Sequence, residues 1–235
     1  MTIEDPNFIR YLECLKESVI FKDLETCYLR NMLQHMTRTI WSPGYFRTSG
    51  DFKSTIHFLV AGRVKEYQIN PHTGREHTIL ILSHGDIFDI LRIMDSESHD
   101  VYWEAIDELE VLSVSLSHMK KWLNDYPIMQ SSIFKYLGNR IRKLEEVATD
   151  ISLHNTLIRL SHLLLNHINE QSHKLEVINN LPNTEIASLI GTTRAVVNRH
   201  IQELKKCGAI SVSRSHIDIE NMELLLSIAE EKYTP

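Results

Sequence analysis

Four hydrogen-bonding side chains are grouped in the C-terminal third of the chain, at the start of a helix-like segment. They are Thr193, Arg194, Asn198 and Arg199. An arginine guanidinium can donate two hydrogen bonds to O6 and N7 of a guanine. Side chains near the N-terminus of a helix are the ones that enter the major groove in a helix-turn-helix. The group therefore predicts recognition of base edges in duplex DNA.

The segment that carries these side chains has the pattern of two short amphipathic helices joined by a tight turn. The first helix ends at Gly191, where a residue that accepts a positive φ is needed. The second begins at Thr192 or Thr193, which are both N-cap residue types. Apolar residues recur at helical spacing at Ile186, Leu189, Ile190, Val196, Val197, Ile201 and Leu204. A helix-turn-helix is predicted, and a helical hairpin with a solvated polar face is the alternative.

Positive charge is concentrated on the same segment. From Thr192 to Arg214 the only acid is Glu203, so the local net charge is +4, whereas the whole chain carries −6. The five basic residues are Arg194, Arg199, Lys205, Lys206 and Arg214. A basic surface on an acidic protein suits phosphate contacts at one face only. We therefore expect Lys205, Lys206 and Arg214 to contact DNA phosphates.

The residues after Gly208 have the alternation of a short β-hairpin. Residues 209–213 and 217–219 alternate, and Arg214 and Ser215 lie between them at the turn. Directly after a recognition helix, such a hairpin is predicted to be the wing of a winged helix. The acidic tail that follows is predicted to form a last helix.

The composition is that of an ordinary folded protein. The 235 residues are 43% hydrophobic and 24% charged, enough for one large or two small domains. The sequence contains no apolar run of membrane-spanning length and does not begin like a signal peptide. Cys14, Cys27 and Cys207 are far apart and odd in number, so they predict neither a disulfide framework nor a metal site. A cytoplasmic protein with reduced thiols is expected.

The sequence lacks the short motifs of catalysis. It has no nucleophile elbow, no phosphate-binding loop and no H-E-x-x-H metal motif. We therefore expect no enzyme activity, no catalytic residues and no metal ligands. A ligand-binding module whose winged helix contacts proteins instead of DNA stays open as an alternative.

The N-terminal half changes its hydrophobic period near Thr39. Residues 1 to about 38 have helical spacing, and beyond them five of the eight glycines lie 6 to 12 residues apart. Short strand-like pieces lie between these glycines, which predicts a sandwich, barrel or roll. These pieces are Tyr45–Thr48, Thr55–Val60, Val64–Ile69, His77–Leu82, Val101–Ile106 and Glu110–Val114. A sensor domain is predicted over residues 1–124.

A long helix is predicted over residues 125–149, followed by a C-terminal domain over 150–235 with a hinge at 149–150. Apolar residues recur along the helix at alternating steps of three and four, which is a coiled-coil seam. The seam consists of Phe134, Leu137, Ile141, Leu144 and Ala148. A parallel homodimer is predicted, and a single helix packed on its own domain is the alternative. A short strand is also predicted at Leu175–Ile178.

In this order of motifs the chain resembles the CRP/FNR family of bacterial transcription factors over nearly its whole length. The glycine turns are similar to those of the family's β-roll, and 185–199 is similar to its helix-turn-helix. The resemblance implies an α+β fold with an N-terminal double-stranded β-helix (jelly-roll-like) sensor domain, a long dimerisation helix and a C-terminal winged helix-turn-helix domain. It also implies a double-stranded DNA operator and RNA polymerase as partners.

The resemblance extends to single residues of the recognition helix. It implies that Arg194 and Arg199 contact base edges and backbone and that Thr193 contacts a phosphate. One position departs from the family. Many relatives have Glu directly after the first Arg, whereas this chain has Ala195, which can touch only a thymine methyl. His200 stands at a usually apolar position, so partial burial is expected.

The effector pocket implied by the resemblance departs further from the family. Cyclic-nucleotide-binding relatives carry Phe-Gly-Glu-Leu and, about ten residues later, Pro-Arg-Ser/Thr-Ala, whose Arg neutralises the cyclic phosphate. The corresponding pocket residues here are Phe88, Asp89, Ile90, His99 and Asp100. Loss of the guanidinium and gain of two carboxylates disfavour a phosphate ligand. We expect that neither cyclic AMP nor cyclic GMP binds.

The effector is therefore not assigned from the sequence. Cys14 and Cys27 cannot supply the four thiolates of an iron–sulfur cluster, so a cluster is not expected. Thirteen histidines leave heme open as a cofactor, as in relatives that sense gases. An organic ligand, or no ligand, is the other possibility.

Overall fold

A computed structural model describes residues 5–52, 54–94, 100–169, 174–213 and 216–233 of the chain. The chain divides into two compact units. The first comprises Met1–Ile69 and Leu80–Arg142, and the second comprises Asn70–Ile79 and Lys143–Pro235. Among the described helices, none combines the length and the apolar character that crossing a bilayer requires.

Two helices open the first unit, as their helical spacing predicts. Helix α1 is Phe8–Glu17 and α2 is Thr26–Gln34. Each buries one apolar stripe and leaves its other side in solvent. The buried residues are Phe8, Tyr11, Leu12, Leu15, Leu29, Met32 and Leu33. They join one hydrophobic core with residues of the strands that follow.

The strands between residues 37 and 115 form two four-stranded sheets, which confirms the predicted roll. The described strands are β1 Thr37–Trp41, β2 Phe46–Thr48, β3 Thr55–Ala61, β4 Val64–Ile69, β5 Glu76–Leu82, β6 Ile87–Phe88, β7 Tyr102–Ala105 and β8 Leu109–Ser115. One sheet has the order β1-β8-β3-β6 and the other β2-β7-β4-β5. Short helices α3 Leu91–Met94 and α4 Leu116–Asp125 follow β6 and β8.

Strand β1 is missing from the predicted strands because its sequence lacks an apolar alternation. Four of its five residues are exposed, and only Trp41 is buried. Its position is set instead by antiparallel pairing with β8, where Thr37 lies opposite Ser113 and Trp41 opposite Leu109. Pairing between residues that are 68 to 76 positions apart in the chain is not visible in a local pattern.

The turn between β3 and β4 requires glycine. Gly62 has φ +86°, and a Cβ at this position would lie 2.4 Å from the carbonyl oxygen of Glu108. An L-residue would therefore meet both backbone strain and a steric clash. The glycine turn predicted at this position thus has a steric cause.

A buried carboxylate ties α1 to the β1/β8 sheet. Glu110 on β8 accepts hydrogen bonds from Arg10 and Tyr11 on α1 and from Nε of Arg38 on β1, the last at 2.6 Å. Burial by itself raises the pKa of Glu110, but the hydrogen bonds from Tyr11, Arg10 and Arg38 outweigh it and lower the pKa to about 2. The ionised form is the one that these donors stabilise.

Helix α5 extends from Pro127 to Leu153, so it ends four residues beyond the predicted 149. The hinge predicted at 149–150 is wrong: the helical hydrogen bonds continue, and the break comes at His154 and Asn155. Asn155 is the N-cap of the next helix, where its side chain accepts from the N–H groups of Leu157 and Ile158. An N-cap side chain favours a helix start at that position.

The first half of α5 packs on the roll. Ile133 and Tyr136 are buried, and the Tyr136 hydroxyl donates to Asp86 at 2.9 Å. Arg140 forms an ion pair with Glu66 at 3.1 Å. These contacts fix which side of α5 faces the first unit. Of the predicted seam residues, Leu137 packs against that core, and the others lie away from it.

The seam residues are largely open to solvent in the single chain. Phe134 is 61% exposed, Ile141 55% and Leu144 39%. Ala148 is exposed as well, and Leu137 is partly buried. A row of exposed apolar side chains of this kind marks a surface for association.

The second unit is built around α6 Thr156–Leu165, α7 Asn183–Leu189, α8 Arg194–Lys206 and α9 Met222–Ala229, with the hairpin β9 Ile210–Ser213 and β10 His216–Ile219. Helix α9 confirms the predicted last helix. The strand predicted at Leu175–Ile178 is wrong, because only Leu175 pairs, in a single bridge with Ile168. Ile178 instead turns into the core, where it is 1% exposed.

We expect Glu110→Gln to lower the free energy of unfolding by about 1–3 kcal/mol near neutral pH, since three donors lose their charged acceptor. The folded pKa of Glu110, about 2, lies below its ordinary value of 4.5. Its contribution is therefore complete above about pH 4.5 and is lost as the pH falls toward 2. Urea unfolding at about pH 7 and about pH 3 should show the difference between the two proteins shrinking at the lower pH. The exposed Glu145→Gln is the control, and a difference independent of pH would contradict the assignment.

Candidate nucleic-acid interface

The turn between α7 and α8 has the geometry predicted for a helix-turn-helix. Gly191 has φ +68°, and the N–H of Thr192 donates to the carbonyl of Ala187 at 2.8 Å. On α6, Arg159 donates from Nη1 to the carbonyl of Ile190 at 3.2 Å. The last carbonyl groups of α7 are thus satisfied, and the course of the chain into α8 is set.

Helix α8 buries one side and exposes the other. The buried residues are Val197, His200, Ile201 and Leu204. The exposed residues include each described member of the predicted reading group: Thr193, Arg194, Asn198, Arg199, Lys205 and Lys206. Because the apolar face is anchored, these six side chains lie on a surface of fixed orientation.

The N-terminus of α8 is available for a phosphate. Helix α8 begins at Arg194 and has Thr193 as its N-cap, as predicted. Within the described part of the chain, the Thr193 side chain makes no capping hydrogen bond. The first N–H groups of a helix have no intrahelical acceptors, so both these groups and the hydroxyl can donate to an anion.

The two arginines of the reading group are not held in tight intramolecular pairs. Arg199 is 64% exposed in its side chain and lies 3.8 Å from Glu203. The Arg194 side chain is exposed, and among residues 174–213 and 216–233 it has no ion-pair partner. Asn198 is oriented by Asn183, whose amide donates to Asn198 Oδ1 at 2.6 Å. Surface pairs at this spacing contribute little and give way to a ligand.

His200 differs from the expectation of partial burial, because it is only 6% exposed. Its Nε2 lies 2.8 Å from the Thr156 hydroxyl and its Nδ1 lies 2.6 Å from Glu203. A buried imidazole needs partners for both nitrogens. His200 therefore links α8 to α6 and is not a phosphate ligand.

The wing is present as an antiparallel hairpin in which His216 pairs with Ser213. Arg214, at its turn, lies outside the described residues, so its predicted phosphate contact stays a prediction. Asn179 anchors the hairpin: its Oδ1 accepts from the N–H of Ile217 at 3.0 Å and its Nδ2 donates to the carbonyl of Ile217 at 3.3 Å. The sequence did not predict this role, because an asparagine between Leu175 and α7 has the pattern of an ordinary loop residue.

In the first unit, the predicted effector pocket contains a buried ion pair that the sequence did not indicate. Asp89 has φ +49° and is 3% exposed, and its Oδ2 accepts from Nε of Arg92 at 2.8 Å. Arg92 also donates to the carbonyl of Ser49 at 2.8 Å. The repulsion of phosphate expected from Asp89 is thereby reduced. Arg92 is engaged by Asp89 and Ser49.

The interior beside this ion pair is filled with aromatic rings. His57 lies 4.5 Å from the ring of Phe52 and 6.0 Å from that of Phe88, and Trp41 packs against all three. The Nδ1 of His57 lies 2.7 Å from Ser113 Oγ, and the Nε2 of His57 lies 3.1 Å from Thr55 Oγ1. Burial lowers the pKa of His57 to about 4, and the charge of Arg47 acts in the same direction.

The other residues predicted for the pocket do not form one group. Phe88 and Ile90 are buried in the core, whereas Asp100 is exposed. His99 lies outside the described residues. Phe88, Asp89 and Ile90 therefore lie close together only because they are consecutive in the chain. Arg92, which pairs with Asp89, and His57, which lies near Phe88, are neighbours that the sequence did not predict.

Comparisons with known proteins agree with this fold. Residues 158–228 match the Crp-like helix-turn-helix domain family. The chain is 22% identical over 218 residues to a CRP-like cAMP-activated global transcriptional regulator of Mycobacterium tuberculosis, covering 91% of this chain and 97% of that protein. It is 24% identical over 191 residues to the global nitrogen regulator of Synechocystis, covering 79% and 82%.

Solved structures show the same fold. A CooA variant from Carboxydothermus hydrogenoformans has a TM-score of 0.70 at 20% identity, covering 85% of this chain and 90% of that chain. FixK2 from Bradyrhizobium japonicum has a TM-score of 0.70 at 18% identity, covering 82% and 96%. Together these findings show that the chain is similar to CRP/FNR transcription regulators over most of its length. They confirm the resemblance predicted from its motifs.

We expect Arg194→Ala and Lys206→Ala to weaken DNA binding in different ways. Loss of a base contact at Arg194 should cost about 1–3 kcal/mol on an operator recovered by selection, and should relax one base position. Loss of a phosphate contact at Lys206 should weaken all duplexes alike and reduce the salt slope by about 1. Fluorescence anisotropy on matched and base-substituted duplexes measures both effects. Unchanged operator preference in Arg194→Ala would remove Arg194 from the reading surface.

We expect cyclic AMP and cyclic GMP to show no binding at micromolar affinity in isothermal calorimetry. In the roll interior the Arg92 guanidinium is engaged by Asp89 and Ser49, and aromatic rings fill the space beside His57. A charged phosphate placed there would lose water without gaining a cationic partner. A cyclic-nucleotide-activated relative serves as the positive control, and a saturable heat with either nucleotide would overturn the expectation.

Proposed function

We propose that this chain is a homodimeric, sequence-specific DNA-binding regulator of the CRP/FNR type that acts in the cytoplasm. One observation carries the proposal: α8 exposes Thr193, Arg194, Asn198 and Arg199 on one side while its opposite side is anchored in the core. Donors of this kind on a rigid helix suit a major groove.

In the proposed complex the contacts divide into two kinds. Arg194, Asn198 and Arg199 read base edges, whereas Thr193 and the helix N-terminus bind a phosphate. Lys205, Lys206 and Arg214 add phosphate contacts that hold α8 in register. Ala195 offers no acceptor for a cytosine amino group, so the half-site differs from that of relatives with Glu at this position.

The exposed seam of α5 supports the homodimer. Phe134, Ile141 and Leu144 are apolar and solvent-exposed in one chain, and they repeat at coiled-coil spacing. A twofold-symmetric pair presents two copies of α8, which matches an operator with two inverted half-sites. We assign residues 1–124 to the sensor domain, α5 to dimerisation and the residues after Leu153 to the winged helix-turn-helix domain, with RNA polymerase as a further partner.

The proposed effector is not a cyclic nucleotide. The Mycobacterium relative is described as cAMP-activated, but the residues around Asp89 in this chain differ from a phosphate cradle. The heme alternative gains no support from His57, because both of its ring nitrogens face hydroxyl groups. Because aromatic rings occupy this interior, an uncharged effector is favoured over a charged one.

Selection from random duplexes, combined with one seam variant, tests the function. The wild-type chain should enrich an inverted repeat with half-sites about one helical turn apart. Ile141→Glu places a charge in the seam at a side chain that is 55% exposed in one chain. We expect it to sediment as a monomer at micromolar concentration and to bind the selected duplex at least tenfold more weakly.

Asn139→Glu is the matched control, since Asn139 is exposed on α5 but lies off the seam. It should sediment and bind like the wild type. Failure to enrich any sequence, or a duplex affinity independent of salt, would favour the alternative in which the winged helix contacts proteins. Dimers that persist in Ile141→Glu would show that another surface joins the two copies.

A further inference from the structure

Two histidines and an aspartate meet where α5 gives way to α6, in the second unit. Asp150 lies in the last turn of α5, His154 follows the end of α5, and His162 lies in the second turn of α6. One ligand atom from each lies within 4.8 Å of the other two. The linear spacing matches no metal motif, so the cluster exists only because the chain reverses at residues 154 and 155.

The geometry of the cluster is close to that of a coordination site. His162 Nδ1 lies 2.8 Å from Asp150 Oδ1, and the rings of His154 and His162 are perpendicular with centroids 5.3 Å apart. Bonds of about 2.0–2.2 Å to a tetrahedral ion place the ligand atoms about 3.3 Å apart. Side-chain movements of about 1 Å or less bring the three donors to that spacing.

A second carboxylate, that of Glu231, lies next to the cluster. Glu231 Oε1 lies 3.1 Å from His154 Nδ1. A carboxylate on one imidazole nitrogen orients the ring and leaves the other nitrogen for a metal. Two imidazoles and a carboxylate suit a borderline divalent ion such as Zn²⁺ and do not suit Mg²⁺ or Ca²⁺, which prefer all-oxygen sites.

The cluster is open enough to be reached and enclosed enough to retain an ion. The side chains of Asp150, His154 and His162 are 20%, 28% and 27% exposed. A simple hydrogen-bond network would need only the pairs His162–Asp150 and His154–Glu231. The convergence of both pairs on one point is what favours an ion.

The break between α5 and α6 at His154 and Asn155, called here the α5–α6 joint, is connected to the helix-turn-helix. Arg159 on α6 donates from Nε to the His154 carbonyl at 2.9 Å and from Nη2 to the Ile151 carbonyl at 3.0 Å. Its Nη1 donates to the Ile190 carbonyl, at the turn before α8. An ion that joins Asp150, His154 and His162 would therefore restrain the end of α5 relative to α6.

We propose that Asp150, His154 and His162 bind one divalent transition-metal ion, with Zn²⁺ as the representative, and that this ion regulates DNA binding by restraining the α5–α6 joint. The site itself stands on its own residues, whereas the regulatory role rests on the proposed function. A metal can shift DNA affinity only by binding two conformations of the joint unequally.

Metal binding is tested on the full-length, untagged chain after removal of bound metals with a chelator. Zn²⁺ titrated against a chromophoric chelator should show one tight equivalent per chain. Asp150→Asn and His162→Gln should each weaken it at least a hundredfold, and Glu231→Gln about 10–100-fold. His72→Gln, in an exposed turn of the same unit, should change nothing.

The absorption spectrum of bound Co²⁺ is a second measurement of the site and does not depend on a binding titration. The wild-type chain should develop visible d–d absorption of a low-symmetry site, and His162→Gln should lose it. Unfolding in urea identifies any variant that fails to fold, in which case His154→Gln takes its place. Equal Zn²⁺ affinity and equal Co²⁺ spectra in the wild type, Asp150→Asn and His162→Gln would overturn the site.

The regulatory part has its own measurement. Affinity for the selected duplex, with and without one equivalent of Zn²⁺, should differ at least threefold in the wild type and not in His162→Gln. Tight Zn²⁺ binding without a change in duplex affinity would overturn the regulatory role and leave the site intact. Absence of duplex binding in both metal-free and metal-loaded protein would instead count against the proposed function, while the Zn²⁺ titration would still decide the site.

Discussion

Burial of one side of α8 is the constraint on which the DNA-facing surface depends. Val197, Ile201 and Leu204 are at most 4% exposed and pack against the helices beneath them. Burial of such side chains contributes about 1.5–3 kcal/mol each. Because the helical repeat couples the two sides of a helix, fixing the apolar side also fixes the direction of Arg194, Asn198 and Arg199. The polar side of α8 is therefore oriented by the fold before any ligand binds.

Polar contacts beneath α8 add specificity to this packing. His200 is buried between the Thr156 hydroxyl and Glu203, and Arg159 bonds the carbonyl at the end of α7. A buried donor or acceptor without a partner costs about 1–3 kcal/mol, so alternative registers of α6 and α8 are disfavoured. The same arginine bonds two carbonyl groups at the α5–α6 joint. This shared side chain is the physical link between the joint and the recognition helix.

The roll in the first unit shows a different use of buried polar groups. Glu110 is ionised and joins α1 to β1, Asp89 is paired with Arg92, and His57 is kept neutral by burial. Each of the three groups has at least one partner within the protein. An interior of this kind presents aromatic surface and a few hydroxyl groups, which fits the proposal of an effector without a phosphate.

The secondary-structure elements whose residues repeat over short distances can be predicted from the amino-acid pattern. The apolar period of 184–204, the glycine turns and the seam of α5 were sufficient to predict the helix-turn-helix, the roll and the long helix, because such patterns are local. Contacts between residues that are distant in the chain become visible only in the folded structure. The edge pairing of β1, the burial of His200 against Thr156, the hydrogen bond from Arg92 to the carbonyl of Ser49, and the meeting of Asp150 with His162 all require a chain that has folded back on itself. No window of sequence contains the partner that supplies the missing hydrogen bond or charge.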